Sequence, residues 1–250
     1  MKKLVLGSLL LAALISQTTG CIITSSDDVD DEFATINAEW SFHEVDASGR
    51  PVVTNPCPAG FDTVALHNQQ FDPATGRDLG SEVIDLFDCV DMRNFTDELV
   101  PGVYETFLSV TSPGGASIYA TSLAATVDVT TVDKTFSSDI VDNGGYFKVG
   151  WDLRRTSATG TLLACRDVAN IDGVEITATL SGSSAAVTDT FDCEPGVDFS
   201  AAVMEGTYVV KVDAINTSNQ AIGAGELLNN KVMRDRNQVT DLGIVTLVIP

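Results

Sequence analysis

Apolar and polar side chains alternate along several short segments of this chain. Alternation with a period of two is typical of a strand that buries one face and exposes the other, as in antiparallel sheets. Turn sequences such as DASG, SPGG and DNGG separate the runs, and no segment beyond the first twenty residues shows a helical period. The chain is therefore predicted to be all-β. The clearest alternations are Ile36, Ala38, Trp40 and Phe42, then Phe147, Val149, Trp151 and Leu153, with similar runs at 174–180, 208–215 and 244–249.

A longer motif occurs twice. Phe-Asp-Cys ends at Cys89 and again at Cys193, an offset of 104 residues (from 89 to 193), and a Gly-x-Tyr step follows each at that same offset, at Tyr104 and Tyr208. In both copies a tryptophan and a turn precede an earlier cysteine, and only the first copy carries the insertion HNQQFDPATGRDLG. The duplication predicts two tandem antiparallel β-sandwich domains with a polar, Gly-ended linker between them. Their predicted bounds are 35–136 for the first sandwich, 137–144 for the linker and 145–250 for the second.

The N-terminus has the composition of an export signal. Lys2 and Lys3 precede an apolar run at 4–15, which is too short to span a bilayer, and small residues then lead to Cys21. This leader resembles a bacterial lipoprotein signal peptide, in which the cysteine after the cleavage site becomes the lipidated N-terminus. It departs from that pattern at Thr18, where a leucine is usual. An ordinary secretory signal with an incidental cysteine is the alternative.

The resemblance implies that residues 1–20 are removed and that Cys21 carries a lipid, with palmitate among its acyl chains. The protein would then be exported and anchored in the bacterial outer membrane, on its periplasmic or its cell-surface face. Residues 21–34 contain the acidic run SSDDVDDE and are predicted to be a solvated tether, because like charges repel and no apolar residue anchors them. A Ca²⁺ site or a surface-export signal are alternatives, although the run lacks the Gly-punctuated loop of an EF-hand.

Charge and composition restrict the function. The formal net charge is −21, from 35 acidic and 14 basic residues, so the surface repels nucleic acid and offers no basic patch to anionic lipid. The 44% of hydrophobic residues suits a folded protein. The expected partners are therefore the membrane, through the lipid anchor, and an envelope protein or glycan.

The five cysteines can be assigned through the repeat. Lipidation of Cys21 accounts for the odd one, and the remaining four allow three disulfide pairings. A unit that recurs intact should contain its own cross-link, which predicts the bridges Cys57–Cys89 and Cys165–Cys193. A zinc site is the alternative, but there is no Cys-x-x-Cys and the two domains would have to converge on it.

The two Gly-x-Tyr steps explain what the repeated motif does. A tyrosine at the entry of a strand, after a Gly-containing corner, resembles the tyrosine corner of immunoglobulin-like sandwiches. There the phenol oxygen bonds backward to the main chain, a structural role that the resemblance implies for Tyr104 and Tyr208. The segments are also similar to transthyretin-like and carboxypeptidase-regulatory-like modules. No cysteine follows either tyrosine by two residues, so the antibody arrangement is absent, and the architecture itself implies no activity.

Few residues are available for chemistry. The chain lacks the sequence motifs of serine hydrolases, phosphate-binding loops and zinc proteases, and it holds only His43 and His67, of which His43 is predicted to face solvent. Trp40 and Trp151 are predicted to be core residues and not sugar platforms. We predict no catalytic, cofactor or metal residue and a non-enzymatic structural or interaction role. The alternatives are a module that binds carbohydrate or Ca²⁺ through its end loops, for which the insertion beside His67 is the candidate, and a hydrolase.

Overall fold

The computed structural model describes residues 33–54, 57–194 and 196–250. Cys21, the leader and all but the last two residues of the predicted tether lie outside them. The described residues form one compact unit. The predicted all-β class is confirmed: the described residues form strands and three short 3-10 helices, Cys89–Asp91, Pro113–Gly115 and Cys165–Asp167, and no α-helix.

The first repeat is a sandwich of two sheets. One has the order β10-β1-β2 with β6 also on β1, and the other has the order β4-β3-β7-β8 with β5 on β3 and β9 on β7. Its strands are β1 (Ile36–Val45), β2 (Pro51–Val53), β3 (Thr63–Asp72), β4 (Arg77–Asp78), β5 (Val83–Asp88), β6 (Arg93–Phe95), β7 (Val103–Thr111), β8 (Ile118–Thr121), β9 (Ala125–Asp128) and β10 (Lys134–Val141).

The second repeat builds the same two layers. Its strands are connected in the order β12-β11-β20-β18-β17-β13-β14, with β15 and β16 on β11 and β19 on β17. The two layers meet at one edge through a single residue pair, Ala224 and Val248. The strands are β11 (Gly144–Arg155), β12 (Leu162–Leu163), β13 (Ile171–Leu180), β14 (Ala186–Asp192), β15 (Val197–Phe199), β16 (Val203–Met204), β17 (Gly206–Asn216), β18 (Ala221–Ala224), β19 (Leu228–Met233) and β20 (Gln238–Ile249).

Each sandwich has its own hydrophobic core, which the alternating segments supply. Side chains of β1 that face inward are buried against β3 and β7, including Val64 and Leu108, because apolar area withdrawn from water stabilises the fold. The corresponding residues of β11 pack with Val174 and Val212 in a separate cluster. The inward-facing residues are Ile36, Ala38, Trp40 and Phe42 in β1, and Phe147, Val149, Trp151 and Leu153 in β11.

The structure differs from the sequence prediction at the predicted linker, 137–144. Most of it belongs to β10, which pairs in parallel with β1 from Ile36 opposite Lys134 to His43 opposite Val141. Its ladder satisfies backbone groups, and Phe136 and Ile140 reach into the core. In the second repeat, β20 pairs in parallel with β11 in the same way. Only Asp142 and Asn143 therefore connect the last strand of one repeat to the first strand of the next.

Two asparagine side chains join the repeats at this point. Asn143 accepts a hydrogen bond from the Val45 amide at 2.7 Å and donates one to the Val45 carbonyl at 2.9 Å. Asn237, which is buried, accepts from the Val141 amide at 2.8 Å and donates to the Thr121 carbonyl at 2.8 Å. Each side chain thus replaces a strand partner and satisfies backbone groups of the first repeat.

Tyr119 also makes contacts at the junction between the two repeats. The Tyr119 hydroxyl donates to a carboxylate oxygen of Asp142 at 3.2 Å, and the guanidinium of Arg236 lies 5.2 Å from the centre of the Tyr119 ring. Burial, and then the nearby Asp142 carboxylate, raise the pKa of Tyr119 to about 12. Burial also raises the pKa of Asp142. Polar contacts from both repeats therefore meet around one tyrosine.

Candidate functional site

The disulfides are the pairs that the repeat predicts. Cys57 is bonded to Cys89 and Cys165 to Cys193, with Cα atoms 5.9 Å apart in both bridges. Each bridge lies within one repeat. The predicted lipidation residue, Cys21, is outside the described residues.

The tryptophans explain why the Phe-Asp-Cys motif recurs. Trp40 stacks on Phe87 with ring centres 6.0 Å apart and planes 9° apart, and Trp151 stacks on Phe191 at 5.8 Å and 7°. Both tryptophans are buried, so neither ring is available to a sugar. They are core residues beside the disulfides.

The repeated tyrosines bond backward to the main chain. The Tyr104 hydroxyl donates to the Val100 carbonyl at 2.7 Å, and the Tyr208 hydroxyl donates to the Met204 carbonyl at 2.8 Å. Burial raises the pKa of both phenols. This is the contact that the resemblance to a tyrosine corner implies, and it has a structural role.

The prediction that His43 faces solvent is wrong. Its side chain is only 13% exposed and contacts Ser41 of the same strand and Asp139 of the neighbouring strand, β10. Nε2 of His43 is 2.8 Å from the Ser41 Oγ and 3.1 Å from an Asp139 carboxylate oxygen, whereas Nδ1 is buried without a partner. In a catalytic triad the acid and the serine bind opposite ring nitrogens. Here both contact the same nitrogen, so the cluster is not arranged for nucleophilic catalysis.

His67 has a different arrangement. Its Nδ1 is 3.1 Å from a Glu82 carboxylate oxygen, and its Nε2 is 2.8 Å from the Ser109 Oγ. The ring stacks on Phe107 at 4.4 Å with an interplanar angle of 3°. The contacts follow the serine, histidine, acid order of a triad, so this cluster was the stronger catalytic candidate.

The surroundings of Ser109 argue against that chemistry. Ser109 is 3% exposed and lies within β7, between β3 and β8. Backbone amides around it serve the two ladders, and the Leu108 amide donates to Ser122 Oγ. A hydrolase needs a reachable nucleophile and free amides that stabilise an oxyanion. The His67 cluster provides neither.

A contrast between the repeats identifies a different feature of this region. On the outer face of the first repeat, strands β3, β5 and β7 carry apolar and aromatic side chains around His67. The same positions of β13, β14 and β17 are polar or charged, and Lys211 and Asp213 there form a salt bridge. The strand pairings align Ala65, His67, Ile84, Leu86, Phe107 and Ser109 in the first repeat with Glu175, Thr177, Thr188, Thr190, Lys211 and Asp213 in the second, in that order.

The two most exposed apolar residues of this face lie on β5. Ile84 is 49% exposed and Leu86 is 68% exposed, and the residues at their positions in the second repeat are Thr188 and Thr190. Because the scaffold accepts threonine at both positions, stability of the sandwich does not explain the apolar side chains. Sequence reasoning missed this contrast, although the offset of the Phe-Asp-Cys motif contained the signal.

Asp85, between these two residues, points to the opposite side of β5 and is half-buried. One carboxylate oxygen accepts a hydrogen bond from the Asp97 amide at 3.2 Å, and the other is buried without a partner. Burial, and to a smaller degree the Asp97 carboxylate, raise the pKa of Asp85. An unused acceptor therefore lies beside the exposed apolar pair.

The described part of the chain contains neither a metal-binding cluster nor a membrane-spanning helix. No group of three or more His, Cys, Asp and Glu side chains there is arranged to hold a metal ion. Among these residues there is also no helix with the length and apolar character that a membrane span requires.

Comparison with protein families and with curated proteins gives no match to the sequence. Among solved structures, a leucine-rich repeat protein from Bacteroides thetaiotaomicron is similar, with a TM-score of 0.34 and 14% identity over 87% of this chain and 26% of that one. This chain therefore corresponds to about a quarter of that protein's length. A protein from Bacteroides ovatus described as a candidate adhesin has a TM-score of 0.29 and 11% identity, covering 88% and 90% of the two chains. The fimbrial anchor protein Mfa2 from Porphyromonas gingivalis has a TM-score of 0.27 and 8% identity, covering 76% and 82%. These scores are too low for a function to be inferred.

Proposed function

We propose that this chain is an exported, lipid-anchored protein of the bacterial cell envelope that binds another envelope component and catalyses no reaction. One observation carries the proposal: on the outer face around His67, the first repeat has Ile84, Leu86 and Phe107 where the second repeat has Thr188, Thr190 and Lys211. Because the two repeats share one fold, a side chain that is present in one repeat and replaced in the other is not required for folding. Exposed apolar side chains that folding does not require are typical of interaction surfaces.

The anchor rests on the leader and on Cys21. Expression in a Gram-negative host with an alkyne-labelled palmitate tests it. The wild-type protein should take up the label and partition with outer membranes, and Cys21→Ser should do neither. Equal labelling of Cys21→Ser, or a soluble wild-type protein, would contradict the anchor while leaving the interaction role open.

The non-enzymatic role rests on the two histidine clusters, in which the serines are poorly placed as nucleophiles. A panel of chromogenic esters, peptides and glycosides should show no turnover above that of the Ser109→Ala variant. Turnover that is lost in Ser109→Ala or His67→Ala, with the fold retained, would show that the protein is a hydrolase.

We also propose that the repeats are separate sandwiches, with the second one extending from 145 to 250. Two distinct cores support this division. Residues 144–250 expressed alone should give a cooperative unfolding transition with the Cys165–Cys193 bridge formed. Failure to fold would show that the junction is required.

A further inference from the structure

Strand β5 is an edge of its sheet. Within the described residues it pairs with β3 alone, and no backbone group of 83–88 bonds to a segment outside that ladder. The other edge of β5 therefore presents unpaired amides and carbonyls, which can accept another extended segment.

The side chains of β5 specify what such a segment would carry. Residues directly opposite each other in neighbouring strands lie on the same face of a sheet. Positions beside Ile84 and Leu86 would therefore place side chains on the outer face, against exposed apolar groups. The position beside Asp85 would be on the opposite face, where one carboxylate oxygen has no partner. The complementary sequence alternates as apolar, basic, apolar.

The charge of the residues around β5 indicates which class of molecule could bind its free edge. Residues 82–98, which include β5 and β6, hold one basic residue, Arg93. They hold six acidic residues: Glu82, Asp85, Asp88, Asp91, Asp97 and Glu98. A second copy of this chain would bring an equally acidic edge and a net charge of −21 against it. Like charges at that distance repel, whereas a basic strand is attracted.

We propose that the free edge of β5 binds an extended, basic segment of a partner protein, which adds to the sheet as a further strand. Its apolar side chains lie on Ile84 and Leu86, and a lysine or arginine faces Asp85. This proposal rests on the interaction role proposed above and names the chemistry of the partner.

The test uses the folded, disulfide-bonded protein from residue 22 onward and a labelled nine-residue peptide that alternates valine with lysine. We expect binding by fluorescence anisotropy that weakens as salt increases, together with slower amide exchange within 83–88. The same peptide with glutamate for lysine should not bind, and neither should one with proline for the central valine, which cannot join a ladder. No binding of the lysine peptide, or equal binding of all three peptides, overturns the proposal.

A matched pair of variants locates the site. The double variant Ile84→Thr/Leu86→Thr carries the residues that the second repeat has at these positions, so it should retain its thermal stability. It should bind the lysine peptide at least about tenfold more weakly, because two apolar contacts are lost. Asp85→Asn should also weaken binding. Ile244→Thr removes a side chain that is 76% exposed in the second repeat and should bind as the wild type does.

Further outcomes of these measurements are decisive. Unchanged binding by the double variant, or a loss equalled by Ile244→Thr, overturns the proposal. A wild-type dimer in sedimentation that the double variant abolishes would mean that a second copy occupies the edge, and it overturns the proposal too. Mass spectrometry of the peptide after incubation separates the two proposals: cleavage contradicts the non-enzymatic role, whereas an intact peptide that does not bind contradicts only this inference.

Discussion

Trp40 donates a hydrogen bond from its indole Nε1 to the carbonyl oxygen of Cys89, at 2.9 Å. Trp151 makes the same contact with Cys193 at 3.0 Å. One side chain thus packs on the phenylalanine of the Phe-Asp-Cys motif and satisfies the buried carbonyl at its end. The motif is repeated because these contacts hold the disulfide end of β5 or β14 against the opposite sheet.

Replacement of either tryptophan by phenylalanine should destabilise its own repeat. Trp40→Phe or Trp151→Phe keeps an aromatic ring but removes the indole hydrogen bond to a buried carbonyl and leaves a small cavity, at a cost of about 2 kcal/mol. Urea unfolding followed by circular dichroism measures the change. Val53→Thr, on an exposed edge position, is the control and should change stability by less than about 0.5 kcal/mol. Equal midpoints for all three proteins would contradict the assigned contact.

The hydrogen bonds of the two tyrosine corners should contribute less to the free energy of unfolding than the tryptophan contacts do. Tyr104→Phe and Tyr208→Phe each remove one hydroxyl hydrogen bond and leave a carbonyl that water can partly reach, so each should cost about 0.5–1.5 kcal/mol. Because the two sites lie in different cores, the double variant should lose the sum of the two effects. Thermal unfolding of the four proteins tests this, and a strongly non-additive result would mean that the corners are coupled.

The disulfides should account for a larger share of the stability. Their sequence separations are 32 and 28 residues, and loops of that size correspond to about 3–4 kcal/mol in the chain-entropy model. Replacing Cys165 and Cys193 by serine should lower the free energy of unfolding by about that amount, as measured by urea denaturation. Non-reducing peptide mapping of the wild type should recover one bridge in each repeat, and a bridge between Cys57 and Cys193 would contradict the pairing.

The contribution of the Asn237 side chain to stability can be measured without disturbing its backbone. It has a φ of 58°, a conformation that glycine adopts without strain, so Asn237→Gly removes the side chain alone. The Val141 amide and the Thr121 carbonyl would lose their partner, and we expect a loss of about 1–3 kcal/mol. Asn219→Gly, at a φ of 55° in an exposed turn, is the matched control and should be nearly neutral. Hydrogen exchange should show faster opening at Val141 only in Asn237→Gly.

The carboxyl of Asp85 predicts a pH-dependent difference. Its pKa is raised above the ordinary value of 3.8, so the folded state holds the proton more tightly than the unfolded state. The resulting stabilisation is complete below the unfolded pKa and is lost as pH rises through the folded one. The free energy of unfolding of Asp85→Asn relative to wild type should therefore increase from about pH 4 upward and then level off. Urea titrations from pH 3 to 8 measure it, and a difference that shrinks with rising pH would contradict the direction.

The sequence was sufficient for the parts of the fold that both repeats share. Two-residue alternation located the buried faces of β1 and β11, and the repeated Phe-Asp-Cys identified the disulfides, because packing and cross-linking depend on local pattern. Strand β10 was not recognised, since its polar residues at Ser137, Ser138 and Asp139 resemble a linker when their partner β1 is unknown.

The candidate site depended on contacts between distant residues. Glu82, which directly precedes β5, and Ser109 of β7 both contact His67, and nothing in the local sequence brings these three residues together. His43 likewise contacts Asp139, almost a hundred residues away in the chain. The apolar pair on β5 is the exception, because a comparison with Thr188 and Thr190 needs only the repeat offset.

The parallel pairing of the first and last strands has a consequence for how far the molecule reaches. Because β1 and β10 run in the same direction, the chain enters a repeat at one pole and leaves it at the other. A further repeat therefore lengthens the protein by roughly one strand, about 30 Å for ten residues, and does not fold the chain back on itself. Duplication of the repeat in this architecture therefore increases the distance between the two ends of the protein.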